Sequence, residues 1–143
     1  MDILTIGISN YSAQEFFEKI EKSPGNKIID IRINRNSQLS GFARDRDLDY
    51  FLPKLSNVTY EVGPMLAPTK ELLKKYRNKE IDWNVYARHY LDLLRERQVE
   101  NNNMSIYENA ILMCSENSPV NCHRRLAAEY LAHRWPNVNI IHL

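Results

Sequence analysis

The first thirty residues limit the fold more than any other stretch of this chain. Ile3 to Gly7 is a short apolar run closed by glycine and reads as a strand. Ser12-Ala-Gln-Glu15 is a capping box, with serine at the N-cap and glutamate three residues on. Phe16, Phe17 and Ile20 follow at helical spacing. Ser23-Pro-Gly-Asn26 ends that helix, and the β-branched run from Lys27 to Ile33 reads as a second strand. Strand, helix and strand in so short a span favour parallel strands joined by a right-handed crossover.

The remainder extends this pattern. Leu48, Phe51, Leu52 and Leu55 predict a short amphipathic helix that Pro53 curtails, and Val58 to Val62 predicts a third strand. Gly63-Pro64 and Pro68 bracket a loop before a helix carrying Leu72, Leu73 and Tyr76. Asp82 can cap a longer helix whose stripe holds Trp83, Tyr86, Tyr90, Leu93 and Leu94. Aromatic stripes can stack nucleic-acid bases, but this one follows the helical period and reads as core. Glu100 to Asn103 is polar and reads as a loop, and Ala110 to Met113 as a buried strand. Ser118 or Asn117 then predicts an N-cap, with Pro119 in the first turn of a helix carrying Leu126, Ala127, Tyr130 and Leu131. Val138 to Leu143, beyond Pro136, predicts a last strand. The expected fold is a single α/β domain over residues 1–143, with a mostly parallel sheet of about four to five strands and helices on both faces.

Bulk properties narrow the function classes. The net charge of +1 gives no overall field to recruit nucleic acid or a membrane, so anion binding must come from local geometry. No apolar run approaches the roughly 20 residues that span a bilayer. Met1 to Asn10 lacks a basic leader segment. Two cysteines are too few for a disulfide framework, so the expectation is a cytoplasmic chain with free thiols and no membrane partner.

Both cysteines fall in one stretch, MCSENSPVNCHRR at 113–125. Cys114 closes a predicted strand, and Cys122, His123 and Arg124 lie near the first turns of the next helix. In open α/β sheets ligands bind beyond the carboxyl ends of strands, near helix N-termini that favour anions. The first strand sends Ser9 and Asn10 to the same edge. The second sends Asp30 and Arg32, which share a face by strand alternation, with Arg35 on the loop that follows. The helical period turns Cys122 and His123 inward, leaves Arg124 between faces, and pairs Arg125 with Glu129 on the solvent side. Together these residues predict a crevice rich in cationic donors, suited to a phosphate, a carboxylate or a sulfur oxyanion.

TIGISN at 5–10, DIRINRNS at 30–37, GF at 41–42 and MCSENSPVNCHRRLAAEYL at 113–131 resemble the bacterial family catalogued as domain of unknown function 488. The resemblance runs from Thr5 to Leu143. It implies an α/β fold and a common pocket at Gly7, Ser9, Asn10, Asp30, Arg32, Arg35, Cys114, Glu116, Cys122, His123 and Arg124. It implies no established reaction. The chain departs from the family pattern at Ile8, where the family has histidine, at Asn34, where it has proline, and at Val62-Gly-Pro-Met-Leu-Ala67.

Each chemistry competes with a plainer alternative. Cys114 or Cys122 could be a nucleophile activated by the helix N-terminus and nearby cations, against two small buried residues, which weigh more. A phosphatase-type Cys-x5-Arg loop is missing, since Val120 and Ala128 occupy the arginine positions. Zinc held by Cys114, Cys122 and His123 is disfavoured, because adjacent helical residues diverge by about 100°. A reversible disulfide between the two thiols competes with the cytosolic expectation. His123 could move protons near neutral pH, against a histidine anchored by a carbonyl or by Asp30. Arg32, Arg35, Arg44 and Arg46 could touch phosphates of nucleic acid, but Asp45, Asp47 and Asp49 interleave with them. The leading expectation is a site for a small anionic ligand, a phosphorylated small molecule or nucleotide, with hydrolysis or group transfer as its extension and no cofactor. Arg32, Arg35 and Arg124 would bind the anion, His123 or Asp30 would move protons, and Ser9, Asn10 and Glu116 would complete the site. The competing expectation is a non-catalytic binding or regulatory module, in the setting of a nucleic-acid-processing assembly.

Overall fold

A computed structural model describes residues 1–9, 11–116 and 118–143. Ten elements carry the architecture: β1 (Asp2–Gly7), α1 (Ala13–Lys22), β2 (Lys27–Asp30), α2 (Asp45–Leu55), β3 (Thr59–Val62), α3 (Lys70–Arg77), α4 (Trp83–Glu96), β4 (Ala110–Cys114), α5 (His123–Arg134) and β5 (Asn139–His142). The strands form one sheet in the order β3-β2-β4-β1-β5, and every pairing is parallel. None of the described helices is long and apolar enough to cross a membrane.

Strand alternation divides the interior into two cores. Ile29, Ile31, Leu112 and Cys114 pack with side chains from α3, α4 and α5. Leu4, Ile6, Ile28, Ile111 and Met113 pack with Phe16, Phe17 and Ile20 of α1 and Leu48 and Leu52 of α2. The sheet is therefore covered on both faces. Its central strand β4 is buried at every position, as expected for a parallel strand with helices above and below.

Local signals account for several boundaries. The Ser12–Glu15 capping box is formed in both directions, at 3.1 Å each way. Asp82 caps α4 through the Val85 N–H at 2.9 Å. Pro53 lies within the last turn of α2, where the chain leaves the helix two residues later. β2 stops at Asp30 rather than Ile33, although Ile31 still donates to the Met113 carbonyl at 3.0 Å. The polar 100–103 stretch lies partly in a 3-10 turn at Val99–Asn101.

α5 starts later than its sequence signals suggest. Cys122 stands at the N-cap and His123 is the first helical residue. The Ser118 hydroxyl accepts from the Val120 N–H at 3.2 Å, so it closes a local turn instead of capping the helix. Asn117 lies outside the described residues. Arg125 binds the carbonyls of Pro119 and Val120 at 3.2 Å each and Glu129 at 3.1 Å, which pins this turn against the helix.

The topology places a crevice at the end of β4. The chain leaves β1 and β2 toward α1 and α2 on one face, but leaves β4 toward α5 on the other. β4 lies between β2 and β1, so neighbouring connections diverge at its carboxyl end, the arrangement in which α/β sheets bind ligands. Gly7, opposite Cys114, lets the segment after β4 close over β1. A Cβ on Gly7 would overlap the Glu116 carbonyl and press on Nη1 of Arg124. Gly7→Ala is expected to lower unfolding free energy in urea by about 2–3 kcal/mol, with the helical content of the folded baseline unchanged.

Candidate functional site

A cavity of about 420 Å³ opens at this divergence. That volume lies in the range of small-molecule sites. Arg32, Cys114, Glu116, Cys122 and His123 line it, so five of the residues expected at the site converge. The opposite wall comes from α3 and α4: Tyr76, Arg77, Trp83 and Tyr86.

Asp30 is fully buried and organises the residues around it. Its Oδ1 accepts from Arg32 Nε at 2.9 Å and from the Arg32 backbone N–H at 3.1 Å. Its Oδ2 accepts from Arg32 Nη2 at 2.8 Å and from the Tyr60 hydroxyl at 2.6 Å. Four donors fill the carboxylate. Tyr60 is held protonated, pushed up by burial and then by the carboxylate it donates to.

Arg32 Nη2 also donates to the Ala43 carbonyl at 2.7 Å, tying the segment before α2 to the end of β2. Arg32 is 3 % exposed, and its Nη1 is buried without a hydrogen-bond partner among the described residues. Arg35 does not join the cavity. Its Nη1 donates to the Arg32 carbonyl at 3.3 Å, and its Nε lies 3.9 Å from Asp45. Arg44 pairs with Asp47 at 3.2 Å, so the interleaved charges of this segment neutralise one another locally.

Arg124 is the largest departure from expectation. It does not swing into the crevice; it is fully buried against β1 and β4. Its Nη1 donates to Cys114 Sγ at 2.9 Å and to the Glu116 carbonyl. Burial pushes its pKa down to about 10, with nearby Glu116 opposing the shift, and the guanidinium stays charged at neutral pH. Cys114 and Cys122 are bonded as a disulfide, not carried as free thiols. The late start of α5 sets Cys122 at the N-cap beside the end of β4, with the two cysteine Cα atoms 7.6 Å apart.

His123 projects from the first turn of α5 with its ring edge-on to Tyr90 at 5.6 Å. Its Nε2 lies 2.9 Å from the Ile31 carbonyl, which can only accept, so Nε2 carries the proton. Nδ1 therefore presents a lone pair toward Cys122 Sγ at 4.0 Å. Burial pushes the imidazole down to about 4, against the opposing pull of the Ile31 carbonyl. At that value the ring is neutral at pH 7, and the carbonyl anchor expected of it is present.

Ser9 is exposed and donates to the Ser115 carbonyl, bracing the segment after β4 without lining the cavity. Asn10 lies outside the described residues. Glu116 is exposed at the cavity wall and adds a negative charge there. No three His, Cys, Asp or Glu side chains among the described residues are grouped as a metal site. Sequence reasoning missed Arg77 and the three aromatic residues of the far wall. Tyr76 and Tyr86 lie 5.0 Å apart, and Trp83 stacks on Tyr86 at 5.4 Å. Their helical period correctly signalled burial, but it could not show that the stripe borders a cavity.

The family model described as "Domain of unknown function DUF488" matches residues 12–131, and the chain belongs to this family. Comparison with curated proteins and with solved structures gives no match.

Two outcomes test this geometry. The folded pKa of His123 lies below its unfolded value of about 6.5. Between those two values the unfolded chain takes up a proton that the folded chain refuses, so stability falls as pH drops from about 6.5 through 4. The loss is expected to reach no more than about 3 kcal/mol, and urea titrations of His123→Gln should show that part of the slope removed. Arg32→Ala leaves the Asp30 carboxylate buried without its bidentate partner, with an expected cost of about 3–5 kcal/mol. Tyr60→Phe, which keeps that pair, should cost about 1 kcal/mol in the same measurement.

Proposed function

We propose that this chain binds a small ligand bearing an anionic oxygen group, a phosphorylated small molecule or nucleotide, in the cavity at the end of β4. Net charge does not carry the reading, because Asp30 offsets Arg32 and Glu116 lines the same cavity as Arg77. Directed donors support it instead. The single observation that carries it is Nη1 of Arg32: a buried guanidinium N–H, fixed by its fork to Asp30 and without an acceptor among the described residues, on a side chain that lines the cavity. An unsatisfied buried polar group costs about 1–3 kcal/mol, and more when charged, so an acceptor from the ligand has a real deficit to relieve. Exposed Arg77 adds a mobile cation across the cavity. Tyr76, Trp83 and Tyr86 offer an apolar wall on which a flat ring can rest, which favours a nucleotide within the wider class.

Binding is better supported than turnover. The Asp30 oxygens are already occupied, and His123 is neutral with its Nε2 proton committed to Ile31. This arrangement lends weight to a non-catalytic binding or regulatory module, in which ligand occupancy rather than hydrolysis or group transfer is the output.

A thermal-shift panel of inorganic phosphate and nucleoside 5′-monophosphates tests the reading. The expected result is a rise in Tm with at least one phosphate monoester. Arg77→Ala is the informative variant, because an exposed side chain can be removed without unfolding the chain. It should weaken that ligand by roughly fivefold to tenfold, the equivalent of about 1–1.4 kcal/mol. No shift with any probe, or equal affinity in Arg77→Ala, contradicts the proposal.

A further inference from the structure

The Cys114–Cys122 disulfide belongs to the cavity wall and has a different electrostatic partner at each sulfur. Arg124 donates an N–H to Cys114 Sγ at 2.9 Å. His123 turns the lone pair of Nδ1 toward Cys122 Sγ at 4.0 Å and offers it no proton. A guanidinium hydrogen bond gains little from a neutral disulfide sulfur and much more from a thiolate. The arrangement therefore favours negative charge on Cys114. We propose that Cys114 and Cys122 form a redox-active pair that exchanges with low-molecular-weight thiols entering the cavity.

The reaction has a defined direction of electron flow. The thiolate of one small thiol attacks Cys122 Sγ, and a new sulfur–sulfur bond joins the small thiol to Cys122. The Cys114–Cys122 bond breaks, and its electron pair leaves on Cys114 as a thiolate held by Arg124. A second small thiolate then attacks the small-molecule sulfur of the mixed disulfide. The small disulfide departs and Cys122 is released as a thiolate, which takes a proton from solvent. Two small thiols have been oxidised, and the protein disulfide has been reduced by two electrons. The reverse sequence reoxidises the pair with a small disulfide. Cys122 is the entry point because it keeps 2 % exposure while Cys114 has none. Stabilising the departing thiolate speeds exchange and makes the disulfide the more oxidising partner.

The charged and titratable groups around Cys114 come from two sides of the cavity. Arg124 and His123 come from α5, Glu116 from the segment after β4, and Arg32 from the segment after β2. Burial of Cys114 opposes a thiolate, and Arg124 is the group positioned to overcome that opposition.

The test equilibrates the full native chain in buffers of reduced and oxidised glutathione, precipitates it with acid to stop exchange and remove glutathione, redissolves it at mildly basic pH in denaturant with excess iodoacetamide and weighs the products. The expected result is two alkylated cysteines in reducing buffer and none in oxidising buffer, reached from either starting state. Cys114→Ser should trap glutathione on Cys122 as a persistent adduct, whereas Cys122→Ser should not retain one on Cys114. Native reduced wild-type protein supplies a readout that needs no access to the buried sulfur: the ultraviolet absorbance of a thiolate should persist at pH 6.5, well below the pKa of about 8.5 of an ordinary thiol, and should be lost in Cys114→Ser. A bond that opens only in denaturant is structural and overturns the proposal. So do two cysteines that stay alkylatable in every buffer, or a thiolate absorbance that titrates as an ordinary thiol does.

Discussion

Everything at the site rests on one buried ion pair. The Asp30–Arg32 fork joins the end of β2 to Tyr60 of β3 and to the Ala43 carbonyl ahead of α2. Two charges taken out of water cost several kcal/mol each, and only the bidentate geometry with its added donors recovers that cost. Stability alone is a weak reason for such a pair, since apolar residues of equal volume often do as well. What the fork does that apolar packing cannot is hold a guanidinium rigid at the cavity wall with one N–H unsatisfied. Preorganised donors of this kind bind without first giving up side-chain freedom.

A second charge, Arg124 of α5, is held by a different device. Gly7 leaves room for the Glu116 carbonyl and for the guanidinium itself. The result is a division of labour at the end of β4. Arg32 and Arg77 border the space that a ligand would enter, while Arg124 lies behind it, in contact with Cys114. His123 is neutral and anchored between them. The proposed anion binding draws on Arg32 and Arg77, and the proposed sulfur exchange on Arg124.

Much of this was legible in the chain itself. The Ser12–Glu15 capping box, the β-branched run at Lys27 and the apolar run at Ala110 are local signals, and local hydrogen bonds and burial realise them. Strand alternation correctly set Asp30 and Arg32 together, because a side-chain pair two residues apart depends on little else. The start of α5 was misleading because Ser118-Pro119 fits two structures, a capped helix and a closed turn. The chain takes the turn, with Arg125 fastening it. That shift of a few residues moved Cys122 to the N-cap and Arg124 into the interior. Arg77 and the aromatic wall were out of reach for another reason. They approach the site from helices far away in sequence, and periodicity reports burial without reporting the neighbour.

The most direct test of the central claim is a crystal structure of the chain grown with a nucleoside 5′-monophosphate. Phosphate oxygens are expected within hydrogen-bond distance of Arg32 Nη1 and Arg77, with the Asp30–Arg32 fork unchanged and the base against Trp83 or Tyr86. A nucleotide bound elsewhere with this cavity empty, or a phosphate group in the cavity that leaves Nη1 of Arg32 without an acceptor, would contradict it.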